Sequence, residues 1–136
     1  MEAVRLDTGL QCLALLLRFH QIAVDPAQIA HQFAGSSVGV QEMLRCAKQL
    51  KLKARAVRES WSGLSKLSLP AIVERHDGTF AILGKAGAED VLIHDPLVNR
   101  PQVIKRVEFE QSWTGRILLM TRRASLSDLA RQFDIT

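Results

Sequence analysis

One stretch near the amino terminus decides the fold, and it reads LDTGLQCLALLLRFH from Leu6 to His20. Between Leu10 and Leu17 its only polar residue is Gln11. A helix that is apolar on nearly all sides is buried in the middle of a fold. We therefore predict a central helix from about Thr8 to His20, beginning directly after Asp7.

The first turn of this helix is a natural place for chemistry. Asp7 or Thr8 can accept hydrogen bonds from the free amides of that turn. The turn also carries the positive end of the helix dipole, which favours anions and activated nucleophiles. Thr8 is the only reactive side chain expected at this point, and a threonine hydroxyl without a base is a poor nucleophile.

The overall composition is that of one folded domain. The 136 residues are 47% apolar and 24% charged, with a formal net charge of +4 and a pI of about 9.5. This length is sufficient for a hydrophobic core. With two Trp, five Phe and no Tyr, a stacking platform for nucleic acid is not expected. No apolar run approaches the roughly 18 residues of a membrane span.

The cysteines and histidines indicate neither a disulfide framework nor a metal site. Cys12 and Cys46 both fall inside predicted helices, and no signal peptide precedes them. We therefore expect a reduced, cytosolic chain. No two of the four histidines have the His-x-x-x-His spacing of a zinc site. We expect no metal and no cofactor.

The rest of the chain is predicted as helices followed by strands. Two further helices are expected at about Pro26–Phe33 and Val40–Leu50, the first with Asp25 as its N-cap. Runs of apolar residues, some alternating with polar ones and some continuous, then predict strands at about 52–58, 70–74, 79–83, 91–94, 102–106 and 116–121, with a short helical segment at 107–113. The segregation of helices from strands predicts an α+β fold, with three helices packed on a meander of five or six antiparallel strands. Papain-like cysteine proteases share this plan.

Two segments stand out from this pattern. In the strand at 52–58, Lys53, Arg55 and Arg58 alternate with small apolar residues, so one of its faces is expected to be basic and exposed to solvent. At the end of the chain, a capping box at 125–128 predicts a short helix over 126–133. We therefore divide the chain into a domain at 1–124 and a connecting segment at 125–136.

An ordered set of short motifs runs along the chain. Asp-Thr-Gly at residues 7–9 opens the apolar helix, and Leu-Pro-Ala-Ile-Val follows at 69–73. Asp-Gly then stands at 77–78, His-Asp-Pro at 94–96, and Phe-x-x-x-Trp-x-Gly at 109–115. This set resembles the N-terminal peptidase domain of bacterial ABC exporters, which in bacteriocin exporters cleaves leader peptides after a double glycine. The resemblance extends in order from Leu6 to Thr136.

The resemblance also implies that the catalytic residues are degenerate. Active members carry Gln-x-x-x-x-Asp-Cys-Gly, a histidine in the strand after the Asp-Gly turn, and the aspartate of an Asp-Pro pair. The corresponding positions here are Glu2, Thr8, Phe80 and Asp95. A phenylalanine cannot accept a proton, and a carboxylate at the glutamine position would repel an oxyanion. Because triad members act as a unit, no peptidase activity is expected.

This degenerate pattern resembles the exporters of RTX toxins and adhesins, the hemolysin-type type I secretion ATPases. In that subgroup the peptidase domain has become a docking module for the unfolded substrate. The resemblance implies an unfolded RTX-type protein as partner, and transmembrane and ATP-binding domains in the same transporter. It also implies a position at the cytoplasmic face of the bacterial inner membrane, with residues 125–136 as the connector to the first transmembrane helix.

Several alternatives remain open from the sequence. The docking surface is either the former catalytic cleft at Thr8, Phe80 and Asp95 or the basic strand that carries Lys53 and Arg55. Two other functions compete with docking of substrate. The chain is an active peptidase that uses Cys12, four residues after Thr8, or it is an interaction module that contacts the ATPase domain of the exporter.

Overall fold

The computed structural model describes residues 7–33 and 37–122. The chain begins with three helices, α1 (Thr8–Phe19), α2 (Pro26–Gln32) and α3 (Val40–Gln49), and continues into strand β1 (Leu52–Arg58). A 3-10 helix at Trp61–Lys66 follows, and the remaining elements in order are β2 (Ala71–Arg75), β3 (Phe80–Ala86), β4 (Asp90–Asp95), β5 (Arg100–Lys105), α4 (Arg106–Ser112) and β6 (Trp113–Arg122). The predicted α+β class is confirmed. The helix predicted at 126–133 and the position of Glu2 lie outside the described residues.

Helix α1 begins where the sequence predicts, because Asp7 caps it. Asp7 Oδ1 accepts a hydrogen bond from the Leu10 amide at 3.1 Å, and its Oδ2 accepts one from the Val38 amide at 3.0 Å. A Cβ atom at Gly9 would stand 1.9 Å from the Val38 carbonyl oxygen, so this close contact requires glycine. The start of α1 is therefore fixed against the segment that leads into α3.

The six strands form one antiparallel sheet in the order β1-β6-β2-β3-β4-β5. The predicted meander is therefore wrong in one respect, because the last strand lies between the first and the second. Residues 117–120 of β6 are all buried, from Ile117 to Met120. A strand that is apolar toward both faces belongs in the interior of a sheet, where elements cover it on each side.

The core has two layers, one on each face of the sheet. We call the face that packs against α1 and α3 the helical face; its core includes Leu13, Leu17 and Met43 of the helices and Ile72 and Leu118 of the sheet. The opposite face packs against the 3-10 helix and α4; its core includes Leu64, Phe109, Val73, Leu83 and Ile117. The centre of the sheet is thus buried on both sides, and only its margins meet solvent.

Across the described residues, we find no helix with both the length and the apolar character needed to cross a membrane.

Candidate functional site

A groove of about 540 Å³ lies at the start of α1 on the helical face. Its walls come from residues 7–9, from residues 37–42 at the start of α3, and from the hairpin between β2 and β3. The hairpin turns at Gly78, whose φ of +85° is a conformation that glycine adopts without strain. This turn brings Phe80 back against the first turn of α1.

The structure brings two predicted site residues, Thr8 and Phe80, together in this groove. Thr8 Oγ1 accepts a hydrogen bond from the Phe80 amide at 3.0 Å. Both residues are buried, with 5% and 6% of their surfaces exposed. The threonine hydroxyl therefore serves as an acceptor that joins the helix to β3.

Asp95 is also buried, but it does not line the groove. Its Oδ2 accepts a hydrogen bond from Arg75 Nη1 at 2.9 Å, and its Oδ1 accepts one from the Leu97 amide at 2.9 Å. The other terminal nitrogen of Arg75 donates to the Phe80 carbonyl oxygen at 3.2 Å. The guanidinium thus links the buried carboxylate to the strand segment that also contacts Thr8.

Sequence reasoning missed Arg75 as a member of this site. The sequence does contain an indication of this role. Arg75 continues the alternation of Ala71 and Val73, which are buried on the face of the sheet opposite the helical face. A charge in the buried register of a strand requires a partner. The identity of that partner depends on the sheet order.

Cys12 lies one helical turn after Thr8, but it is completely buried. Burial in an apolar environment is the main cause that raises the pKa of the Cys12 thiol well above its usual range, and the nearby charge of Arg75 opposes this only in part. Cys46 is also buried, and burial raises the pKa of its thiol too. Both cysteines therefore hold their protons near neutral pH.

The groove is negatively charged. Its lining includes the carboxylates of Asp7, Glu42, Glu74 and Asp77 and the single cation Arg116. The hydroxyl of Thr79 donates to Asp77 Oδ1 at 2.6 Å, and this bond, together with one from the Thr79 amide, lowers the pKa of the Asp77 carboxyl. The Asp77 carboxylate therefore keeps its charge in mildly acidic solution.

The other predicted site residues, Lys53 and Arg55, form a separate surface. With Lys66 they surround a depression of about 300 Å³, whose lining also includes Leu67 and Leu119. We call this surface the basic concavity. It has no carboxylate in its lining, and within residues 7–33 and 37–122 none of its three cations forms a salt bridge. It lies on the opposite face of the sheet from the groove.

Neither surface resembles a metal site. In the part of the chain that the structure describes, no group of three or more His, Cys, Asp or Glu side chains is arranged to hold a metal ion. His94 lies on the helical face against Leu15 and Phe19, while its neighbour Asp95 is directed to the other side of the strand. The chemistry of both surfaces therefore comes from their charges and hydrogen bonds.

Comparison with known proteins assigns these features to a family. The profile of the Peptidase C39 family matches residues 2–125. The chain is 36% identical over 136 residues to the alpha-hemolysin translocation ATP-binding protein HlyB of Escherichia coli, a match that covers 97% of this chain and 19% of that protein. It is 37% identical over 134 residues to the exotoxin translocation ATP-binding protein PaxB of Pasteurella aerogenes, covering 96% and 19%. The chain thus spans about a fifth of the length of these relatives.

Solved structures with the same fold include two from transporters. One is a double glycine motif protease from an AMS/PCAT transporter in complex with the leader peptide, with a TM-score of 0.80, 22% identity and 90% of each chain covered. Another is the N-terminal peptidase C39 like domain of the toxin secretion ATP-binding protein from Vibrio parahaemolyticus, with a TM-score of 0.75 and 20% identity over 88% of this chain and 100% of that one. The predicted papain-like fold and the resemblance to the peptidase domains of exporters are confirmed.

Proposed function

The chain belongs to the peptidase C39 family, and on that premise we propose that it is a non-catalytic member that docks an unfolded protein before export by an ABC transporter. Its relatives are translocation ATP-binding proteins of secreted toxins. Its partners would be an unfolded RTX-type protein and the transmembrane and ATP-binding domains of the same transporter, at the cytoplasmic face of the inner membrane. The observation that carries the proposal is the hydrogen-bonded cluster of Thr8, Phe80, Arg75 and Asp95.

This cluster lacks what a cysteine peptidase needs. Catalysis requires a thiolate, which a neighbouring imidazole generates at the helix terminus. In the described part of the chain, neither a cysteine nor a histidine lines the groove. The Thr8 hydroxyl accepts the Phe80 amide, and the Asp95 carboxylate pairs with Arg75 instead of orienting a base. The Thr8 hydroxyl, the Phe80 backbone and the Asp95 carboxylate are thus all engaged in bonds within the fold.

Cys12 is not an alternative nucleophile for the groove. Its side chain is fully buried, and its thiol holds its proton, so it presents no thiolate to the groove.

We expect no cleavage when the chain is incubated with a double-glycine leader peptide. We also expect iodoacetamide to leave Cys12 unmodified in the native state and to modify it in urea, as measured by mass spectrometry. Cleavage that disappears in Cys12→Ala would overturn the proposal.

Charge favours the basic concavity over the groove as the docking surface. RTX proteins carry repeated aspartates that bind Ca²⁺ when the repeats fold. Without calcium, such a chain is unfolded and acidic. The carboxylates of the groove would repel it, whereas Lys53, Arg55 and Lys66 would attract it. Affinity should be weak, because ordering a disordered ligand costs free energy.

The docking function is tested by titrating the labelled chain with an RTX repeat protein, once in chelator and once in calcium. We expect binding to the calcium-free, unfolded form and none to the calcium-loaded, folded form. The increase of the dissociation constant with salt should be steep for attraction between opposite charges. Equal binding to both forms, or to neither, contradicts the proposed function.

We further propose that residues 125–136 connect this domain to a transmembrane domain. A connector contributes few contacts to the core of the domain that precedes it. A chain shortened after Ala124 should therefore unfold within about 2 °C of the full chain, because a change of that size corresponds to well under 1 kcal/mol. A larger loss of thermal stability would place this segment in the folded domain.

A further inference from the structure

The sheet ends in two edge strands, β1 on one side and β5 on the other. Within residues 7–33 and 37–122, the sheet has no further strand beside either of them. An edge strand presents backbone N–H and C=O groups on which an extended chain can add as a new strand. The two edges differ in how well they support such an addition.

The outward-facing groups of β1 follow from its pairing with β6. The Glu59 amide donates to the Gly115 carbonyl oxygen at 2.8 Å, and the register pairs Arg58 with Arg116. Arg58 and Arg116 are therefore a non-hydrogen-bonded pair, and every second residue of β1 repeats this arrangement. It follows that Ala54 and Ala56 direct their N–H and C=O groups away from β6.

The same reasoning at β5 gives a different result. The Arg106 amide donates to the Glu89 carbonyl oxygen at 2.9 Å, and Lys105 pairs with Asp90. Val103 and Pro101 therefore face outward, since they lie two and four residues before Lys105. Pro101 has no N–H to offer, which interrupts the edge in the way that natural sheets block unwanted pairing. The edge of β1 contains no proline.

The basic concavity lies directly beside the open edge of β1. Lys53 and Arg55 extend from β1 on the opposite face, beside Lys66 at the end of the 3-10 helix. A strand added to this edge would lie about 4.8 Å from β1, with every second side chain on the same face as these cations. A second copy of this chain would instead bring cations against cations, which disfavours its pairing at this edge.

We propose that an extended acidic segment adds as a seventh strand to the edge of β1, with a carboxylate at every second residue over the basic concavity. This inference rests on the proposed docking function and specifies how the unfolded chain is held. Backbone hydrogen bonds supply affinity without requiring one sequence, and the alternating carboxylates supply selectivity. A folded protein has its backbone groups already paired, so only an unfolded chain is accepted.

The first experiment uses a capped, fluorescent peptide of alternating residues, Asp-Val-Asp-Val-Asp-Val-Asp, and two N-methylated forms of it. One form carries N-methyl groups on the valines and the other on the aspartates. In an added strand only one of these two sets faces β1, so one form should lose binding and the other should keep it. For antiparallel addition the valine set faces β1, because residues opposite Ala54 and Ala56 share their face. Equal binding by both methylated forms overturns the proposal, as does no binding of the parent peptide.

Amide hydrogen exchange supplies an independent measurement on the unmodified chain. With the peptide at saturation, exchange at Ala54 and Ala56 should slow by about tenfold or more, since a new hydrogen bond protects each amide. Exchange at Val57, whose amide faces β6, should not change. Protection that appears instead around Thr8 and Phe80 places the peptide in the groove and overturns the edge proposal.

Matched proline variants compare the two edges. Ala56→Pro and Val103→Pro each remove one outward-facing amide while leaving the bonds to the neighbouring strand. Ala56→Pro should weaken peptide binding by about tenfold, and Val103→Pro by less than about twofold. Thermal unfolding checks that both variants fold. If Ala56→Pro does not fold, the methylated peptides decide whether the peptide adds to β1. Equal effects of the two variants count against addition at β1.

Matched charge variants test the contribution of the concavity. Lys53→Glu with Arg55→Glu should weaken peptide binding by at least about tenfold, because the substitutions replace attraction by repulsion. Arg100→Glu with Lys105→Glu makes the same change of net charge on β5 and should have a much smaller effect. One outcome would separate the two proposals. If the calcium-free repeat protein binds, but the charge variants, the proline variants and the methylated peptides all bind with unchanged affinity, the docking function stands and addition at the edge is wrong. Should the repeat protein bind in neither calcium state, the docking function itself is wrong.

Discussion

The groove at α1 and the edge of β1 differ in what their polar groups do. The groove residues Thr8 and Phe80 are hydrogen-bonded to each other, and Phe80 also accepts a hydrogen bond from Arg75, which pairs with Asp95, so all of these bonds lie within the domain. Along β1, the cations Lys53 and Arg55 form no ion pair in the described residues, and alternate backbone groups face outward. Paired groups contribute to stability, whereas unpaired groups are available to a partner. Substitutions in the cluster of Thr8, Phe80, Arg75 and Asp95 should therefore change the free energy of unfolding, and substitutions at the edge should change binding.

The largest effect on stability is expected for Arg75→Met. This substitution leaves the Asp95 carboxylate, only 8% exposed, without its cationic partner. Removing one member of a buried ion pair costs about 3 kcal/mol of unfolding free energy. Urea denaturation measures the loss. Restoring part of it in the double variant Arg75→Met with Asp95→Asn would show that the uncompensated charge is responsible.

Arg116→Met is the matched control for this substitution. Arg116 lies 3.9 Å from Glu74, and its side chain is 36% exposed. Such an exposed pair contributes less than about 1 kcal/mol. Equal losses in the two arginine variants would contradict the difference drawn here between a buried structural pair and a pair open to solvent.

A smaller effect is expected for Thr8→Val, which keeps the shape of the side chain and removes the hydroxyl. The buried amide of Phe80 would then lose its acceptor, at a cost of about 1–2 kcal/mol. Thr8→Ser retains the hydroxyl and should cost less. Chemical denaturation of the parent chain, Thr8→Val and Thr8→Ser provides the comparison, with the slope of unfolding free energy against denaturant concentration kept the same for all three. A Thr8→Val chain as stable as its parent would mean that this bond does not hold the groove together.

Alkaline pH should weaken the fold through the buried thiols. In the unfolded chain Cys12 ionises near its ordinary pKa of 9.0, while in the folded chain burial raises the pKa far above this value. The unfolded state therefore binds fewer protons at high pH, and stability falls as pH rises above 9, by about 1 kcal/mol between pH 9 and 10. Urea denaturation at several pH values measures this slope. Cys12→Ala should reduce it, and an unchanged slope in that variant would exclude Cys12 as its source.

The smallest effect on stability is expected at the edge. Lys53→Gln with Arg55→Gln should change the unfolding free energy by less than about 0.5 kcal/mol, since both side chains are exposed and neither forms an ion pair with any residue that the structure describes. Thermal unfolding of this double variant provides the measurement. A loss above 1 kcal/mol would show that the two cations support the fold and are not free for a partner.

Much of the fold could be predicted from local patterns. The apolar run after Asp7 determined the central helix, and Asp25 followed by Pro26 determined the start of α2. Alternation predicted β1 within its observed bounds. These features depend on neighbours within a few residues, where side-chain period and capping chemistry are directly visible in the sequence. The turn predicted at Asp77-Gly78 likewise depends only on residues close to it in the sequence.

The sequence by itself therefore determined most of the elements and the α+β class, while the expectation that Thr8 and Phe80 share one cleft came from the resemblance to exporter peptidase domains. Only the tertiary structure decided that β6 lies between β1 and β2, which leaves β1 as an open edge. It also decided that Arg75 pairs with Asp95 across β3, on two strands that are not neighbours in the sheet. Helix caps and strand periods arise from local interactions, whereas strand order and buried ion pairs depend on how distant segments share one core.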